Sequence, residues 1–219
     1  QSAMTSSLVG SEMCIRDRGN LGSVEKAFRM LGAEVLITAN PNDVLQADGV
    51  VLPGVGHFKD CMDKITCSNM DQAIAEVIQN QRPFLGICVG LQMLFESSEE
   101  GKEPVAGLGI LKGKIKKFCL PKSYKVPHMG WNQVQIKKNS PIFAEIADAS
   151  YFYFVHTYYL EAEDPEMVIG TTDYGIIFDA VIQQNALFAC QFHPEKSGKT
   201  GLKFLRNFVE FVKEGGENE

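Results

Sequence analysis

The chain has 219 residues, 45% apolar and 22% charged, with a formal net charge of −6. That is material for one sizeable α/β domain, or two small ones at most. The acidic balance, with no basic block longer than two residues, argues against nucleic acid as a general partner, and no apolar run approaches the roughly 18–20 residues of a membrane span.

Six cysteines show no C-x-x-C spacing, and the four histidines form no pairs with them at ligand spacing. A chain of this size needs no staples, so the reading is a reducing, cytoplasmic setting without disulfides and without structural zinc.

Residues 1–18, QSAMTSSLVGSEMCIRDR, carry no apolar periodicity and have neither the basic start nor the apolar centre of a signal peptide. From Gly22 the pattern becomes regular. Val24, Ala27, Phe28 and Leu31 fall at helical spacing and predict an amphipathic helix ending near Gly32. EVLIT (34–38) reads as a strand, and Pro41-Asn42-Asp43 opens a turn or short helix. GVVLPGVG (49–56) is a buried strand running into a glycine-rich turn. Ile74, Val77 and Ile78 mark a helix that stops before Pro83, and PFLGIC (83–88) is the next buried strand. Short apolar strands alternating with helices predict a mostly parallel sheet covered on both faces.

After Gly107 the style changes. KGKIKKFCL (112–120), WNQVQIKK (131–138), SYFYFVHTYYLEA (150–162), MVIGTT (167–172), FDAVIQQ (178–184) and LFACQF (187–192) follow closely with turns between them. They read as antiparallel strands added to the sheet. A last helix spans 198–213, with Leu202, Leu205, Phe208, Val209 and Val212 on one face. No internal repeat or linker appears, and the change near 110 is one of topology within one domain.

Three stretches carry chemistry. GICVG (86–90) sets Cys88 between small residues where a strand turns into a helix, the layout that lifts a nucleophile into a strained, exposed position above a sheet. A helix from Val89 would aim its N-terminal dipole at the sulfur and favour the thiolate. QFHPE (191–195) places His193 at the carboxyl end of an apolar strand, with Glu195 two residues on to orient the imidazole. PGVGHF (53–58) offers backbone N–H groups of Gly54 or Val55 for an oxyanion hole, with the N–H of Val89 as the second donor. Singly, each has a plain alternative: a structural cysteine, a surface histidine, a tight loop.

Together and in this order, PGVGHF, GICVGLQMLF and QFHPE resemble the motifs of class I (triad) glutamine amidotransferases. GNLGSVEKAF (19–28), PHMGWN (127–132) and YFVHTYY (153–159) are similar to segments of those members that work as glutaminase subunits. The resemblance covers about residues 19–213 and implies the flavodoxin-like amidotransferase fold. It makes Cys88 the nucleophile, His193 the general base and acid, and Glu195 its orienter, acting on glutamine without metal or cofactor. It further implies substrate contacts at Gly90 and Gln92, with backbone around His156, Thr157 and Tyr158 holding the α-carboxylate. Ammonia protonated in water is no nucleophile, so such a donor works docked; the resemblance implies a (β/α)8-barrel cyclase partner with a tunnel between the sites. Met129 and Trp131, large apolar groups among turn signals, are candidate partner contacts, as are Lys196 and Asn20.

The family begins with a short apolar strand that this chain lacks, residues 1–18 standing in its place. They are expected to be non-native, followed by the amidotransferase domain at 19–213 and a polar tail at 214–219. Without that strand the sheet is expected to fold poorly unless residues 8–16 substitute for it. The competing readings are another triad amidotransferase, a γ-glutamyl hydrolase or peptidase, and a catalytically impaired binding protein.

Overall fold

A computed structural model describes residues 5–9 and 18–215, with side chains from Leu21 onward. The first half alternates strands and helices: β1 (Thr5–Val9), α1 (Arg18–Met30), β2 (Glu34–Thr38), α2 (Pro41–Gln46), β3 (Gly49–Gly54), α3 (Phe58–Cys67), α4 (Met70–Gln79), β4 (Phe84–Cys88) and α5 (Val89–Met93). The second half is mostly strand: β5 (Ser97–Ser98), β6 (Val105–Ala106), β7 (Gly113–Lys117), β8 (His128–Ile136), β9 (Ser150–His156), β10 (Tyr158–Ala162), β11 (Val168–Asp173), β12 (Ile177–Gln184) and β13 (Leu187–Cys190), closed by α6 (Gly198–Lys213).

Five strands run parallel in the order β2-β1-β3-β4-β13, the arrangement of a flavodoxin-like sheet. α1 and α6 pack together on one face, and α2, α3 and α4 pack together on the other. Val24, Ala27 and Phe28 of α1 are buried, and the Phe28 and Phe208 rings meet edge to face with centroids 6.3 Å apart. Coverage on both faces is why all five residues of β4 are buried and why its sequence is a continuous apolar run. Beyond β13 the sheet turns antiparallel through β12, which pairs with β10 and β11. The predicted α/β architecture with added antiparallel strands is thus the one found.

Three expectations change. The central position left empty by the sequence reading is filled by β1, Thr5–Val9, between β2 and β3; residues 10–17, most of the segment expected as a substitute, lie outside the described residues. The helix α3 was not anticipated, although Phe58, Met62 and Ile65 are buried along it. The single strand expected over 150–162 is two. β9 pairs with β8 and β10 with β7 and β12, the break falling at Thr157.

Candidate active site

The site lies at the carboxyl ends of the adjacent strands β3, β4 and β13. Gly54 and Cys88 are register partners at the ends of β3 and β4. Cys88 has φ +56° and ψ −111°, a conformation that L side chains rarely take. Such backbone strain costs on the order of 1–3 kcal/mol and persists only where the surroundings impose it. Here the imposing contact is close packing of the turn on β3. A Cβ on Gly90 would lie 1.9 Å from the Leu52 carbonyl oxygen, and one on Gly54 would lie 2.7 Å from the Gly90 nitrogen. Gly90→Ala is therefore expected to cost about 3 kcal/mol or more, because the obstructing atoms are backbone; thermal unfolding of the variant measures it.

The expected strain is present, but the expected exposure is not: Cys88 is only 4% accessible. Gln191 Nε2 donates to the sulfur at 3.6 Å, and His193 lies close enough for the sulfur to raise its pKa. The helix behind Cys88 is also shorter than its anticipated role requires. α5 has five residues, so few peptide dipoles add up at its start.

His193 reaches the sulfur because of what flanks it. Phe192 is fully buried and stacked on Phe152 at 4.0 Å between centroids, and its neighbours Gln191 and His193 both meet Cys88. The His193 backbone N–H donates to the Tyr153 carbonyl at 2.9 Å, and Ser197 Oγ donates to the His193 carbonyl at 2.6 Å while accepting from the Tyr153 N–H. Glu195 Oε1 accepts from His193 Nδ1 at 2.8 Å, both side chains being inaccessible. That bond fixes the tautomer and leaves Nε2 for the sulfur. Burial disfavours a charged ring here, yet the Cys88 sulfur, by charge and by hydrogen bond, and the Glu195 carboxylate outweigh it, raising the His193 pKa to about 10. Cys190, the other thiol of this strand, is fully buried, and burial pushes its pKa up, so it stays a neutral thiol.

Val89 and Gly90 follow the sulfur in α5, and Val55 follows Gly54 in the facing turn, where the Val55 carbonyl accepts from Cys61 Sγ at 3.5 Å. This turn is tied down by Glu100, which accepts from the Phe58 N–H at 2.7 Å and meets His57 Nδ1 at 3.2 Å. Gln92 is buried, its Nε2 donating to the Tyr158 carbonyl at 3.1 Å and to Gln191 Oε1 at 2.9 Å. Thr157 forms the break between β9 and β10, its carbonyl accepting from the Phe118 N–H.

The His156 ring is occupied inside the protein: Nδ1 donates to the Tyr158 carbonyl at 2.8 Å and Nε2 accepts from His128 Nδ1 at 2.9 Å. His128 Nε2 in turn accepts from Asn132 Nδ2. His128 and His156 face each other across the β8–β9 ladder, and the donor sequence is consistent only if both rings are neutral. Burial holds His128 at a pKa of about 4. Burial, against the bond to Tyr158, holds His156 at about 3, with His128 and His193 adding to the lowering.

Met129 and Trp131 on β8 are 61% and 55% accessible, and β8 borders an open groove of about 420 Å³ walled by Tyr124, His128, Asn132, Asp173 and Tyr174. Lys196 is exposed on the 3-10 turn Pro194–Lys196, and Asn20 falls in the first turn of α1. The residue that sequence reasoning missed is Gln191. A glutamine two residues before the histidine, at the end of a buried apolar strand, was the available signal.

A strained cysteine at a strand-to-helix turn, beside a histidine that is hydrogen-bonded to a glutamate just past the neighbouring strand, is an arrangement suited to thiol chemistry on an α/β sheet. The chain matches the family model for class-I glutamine amidotransferases over residues 15–211, and it belongs to that family. Among curated relatives, the imidazole glycerol phosphate synthase subunit HisH of Thermosynechococcus vestitus is 48% identical over 200 residues, covering 90% of this chain and 95% of that protein. The protein of the same name from Moorella thermoacetica is 48% identical over 198 residues, covering 90% and 93%. That of Methanocaldococcus jannaschii is 46% identical over 194 residues, covering 89% and 95%. Among solved structures, a glutamine amidotransferase superposes with a TM-score of 0.71 at 14% identity, covering 96% of this chain and 99% of that one. A glutamine amidotransferase from Thermotoga maritima gives 0.64 at 17%, covering 98% and 86%; both show the same fold. Among the described residues no helix is long and apolar enough to cross a membrane.

Proposed function

We propose that this chain is the glutaminase subunit of an imidazole glycerol phosphate synthase, serving histidine biosynthesis in the cytoplasm. The reading is carried by Cys88 beside His193, whose ring is hydrogen-bonded to Glu195, in a chain nearly half identical to proteins of that name. Cys88 gives its proton to His193, and the thiolate attacks the side-chain carboxamide of glutamine. The N–H groups of Val89 and of Gly54 or Val55 receive the oxyanion. The His193 imidazolium protonates the departing nitrogen, ammonia leaves, and the thioester carbonyl stays on sulfur. Water deprotonated by His193 then cleaves the thioester to glutamate and restores the thiol. Glu195 holds the ring in register throughout. Gly90, Gln92 and the backbone at His156, Thr157 and Tyr158 form the glutamine site in this reading.

The ammonia passes through a tunnel to a (β/α)8-barrel cyclase subunit in a heterodimer, the synthase acting as a lyase. Met129, Trp131, Lys196 and Asn20 face that partner. The amidotransferase domain takes in the central strand Thr5–Val9 as well as the residues 19–213 expected from sequence, with a polar tail after it. Residues 1–14 precede the stretch matched by the family model.

The burial of Cys88 supports a docked glutaminase over a free-standing hydrolase, because an enclosed sulfur has to be opened before substrate enters. The test is glutamate release by the chain alone and mixed with the cyclase subunit. Turnover is expected to rise about 10- to 100-fold on mixing, and Trp131→Ala is expected to remove most of that rise by weakening the complex. Full turnover without any partner would refute the docked reading in favour of a hydrolase.

A further inference from the structure

We propose that Gln191 is a positioning residue for the nucleophile: its carboxamide N–H holds the Cys88 sulfur and favours the thiolate. This rests on the reading of Cys88 as the nucleophile.

Gln191 is fully buried. Its Nε2 donates to Cys88 Sγ at 3.6 Å and its Oε1 accepts from Gln92 Nε2 at 2.9 Å. A carboxamide can turn over, presenting either a donor or an acceptor to a neighbour. An oxygen turned toward a sulfur anion would repel it, so which way this amide faces matters to the charge on Cys88.

The structure settles the orientation by a one-way chain of donors. The Tyr158 carbonyl can only accept, and it takes one N–H of Gln92. The other N–H of the same nitrogen goes to Gln191 Oε1. With its oxygen claimed, Gln191 has only its N–H groups to offer the sulfur. The Tyr158 carbonyl is itself held from the other side by His156 Nδ1 at 2.8 Å. Turning the Gln191 amide over would set its N–H groups against those of Gln92 and leave both buried and unpaired, at a cost of about 1–3 kcal/mol per lost partner.

The chemical result is a donor already in place where negative charge forms. When the Cys88 proton moves to His193 Nε2, the sulfur becomes an anion opposite two N–H groups, one on the imidazolium and one on Gln191. A hydrogen bond to a charged group strengthens as the charge develops, so the proton transfer is favoured without movement of the amide. His193 alone would leave the sulfur held from one side.

The experiment measures the sulfur directly in the full-length chain. Thiolate absorbance near 240 nm and the rate of Cys88 alkylation by iodoacetamide are recorded at neutral pH for the native protein, Gln191→Met and Gln191→Glu, with Cys88→Ala as blank. Alkylation of Cys88 in the native protein, repeated in the complex with the cyclase subunit because the sulfur is enclosed in the free chain, tests the nucleophile reading; its absence from both would remove that reading and this one. With native labelling established, Gln191→Met is expected to lower thiolate absorbance and to slow alkylation about tenfold, the worth of one hydrogen bond to a charged group. Gln191→Glu, which keeps the shape and the acceptor for Gln92 but sets a carboxylate by the sulfur, is expected to slow it further. In the complex with the cyclase subunit, kcat is expected to fall in both variants while KM for glutamine changes less than about twofold. Absorbance and alkylation within about twofold of native in a folded variant overturn the proposal, and the near-isosteric Gln191→Glu supplies that outcome if Gln191→Met does not fold.

Discussion

Replacing Cys88 with alanine is expected to end glutamine hydrolysis, lowering kcat by about 10^4-fold or more. Cys190 cannot take over. It is the next thiol along the neighbouring strand, but it is wholly buried, its proton is held by its apolar surroundings, and its Sγ meets the Phe192 carbonyl at 3.5 Å. His193 owes its raised pKa to the Cys88 sulfur and to Glu195, so removal of the sulfur also removes much of what keeps the ring charged. The same position yields a stability comparison. At φ +56° and ψ −111° alanine is as strained as cysteine, whereas glycine is not. Cys88→Gly is therefore expected to be equally inactive and about 1 kcal/mol more stable than Cys88→Ala, the reverse of the usual order. Glutamate release and calorimetric Tm for the pair of variants check both halves, and a glycine variant that melts below the alanine variant contradicts the strain argument.

The second large effect is on stability in acid. His128 and His156 are held neutral at pKa values of about 4 and about 3, while an unfolded histidine titrates near 6.5. As pH falls below about 6.5 the unfolded chain takes up two protons that the native chain refuses. The stability conferred by the neutral pair is whole above that point and declines by about 1.4 kcal/mol per pH unit for each ring. Between about pH 6.5 and about pH 5 this amounts to roughly 4 kcal/mol. His193 does not offset it: with a folded pKa raised to about 10, its contribution is complete and flat below about 6.5 and is lost only as pH rises. Urea unfolding at about pH 7 and about pH 5 measures the drop. His128→Gln, which retains a donor for His156 Nε2, is expected to roughly halve it; an unchanged drop would place the acid sensitivity elsewhere.

The parts of this protein that were legible in sequence are those where a local pattern has one physical solution. The apolar runs at 49–54 and 84–88 are buried on both faces and admit only a central parallel strand. Gly86 and Gly90 around Cys88 announce a turn too crowded for side chains, and Gly90 indeed sits against the Leu52 carbonyl. What was not legible depends on neighbours distant in sequence. Nothing within SYFYFVHTYYLEA marks Thr157 as a break, because both halves alternate as strands and only their separate partners divide them. The helix α3 was obscured by Lys59, Asp60, Asp63 and Lys64, which hid the buried row Phe58, Met62, Ile65. The enclosure of the sulfur, and the part played by Gln191 in it, follow from Phe192 being locked against Phe152, a contact between segments some forty residues apart.

The division at Thr157 has a mechanical consequence. Trp131 lies directly across the ladder from Tyr153, and the peptide of Tyr153 is what fastens the backbone of His193 and the hydroxyl of Ser197. Cys88 is anchored separately, on the parallel strands. A load applied to the exposed indole therefore reaches the backbone of His193 through one rung and one hydrogen bond, so tilting the ribbon alters the gap between imidazole and sulfur before it disturbs the footing of Cys88.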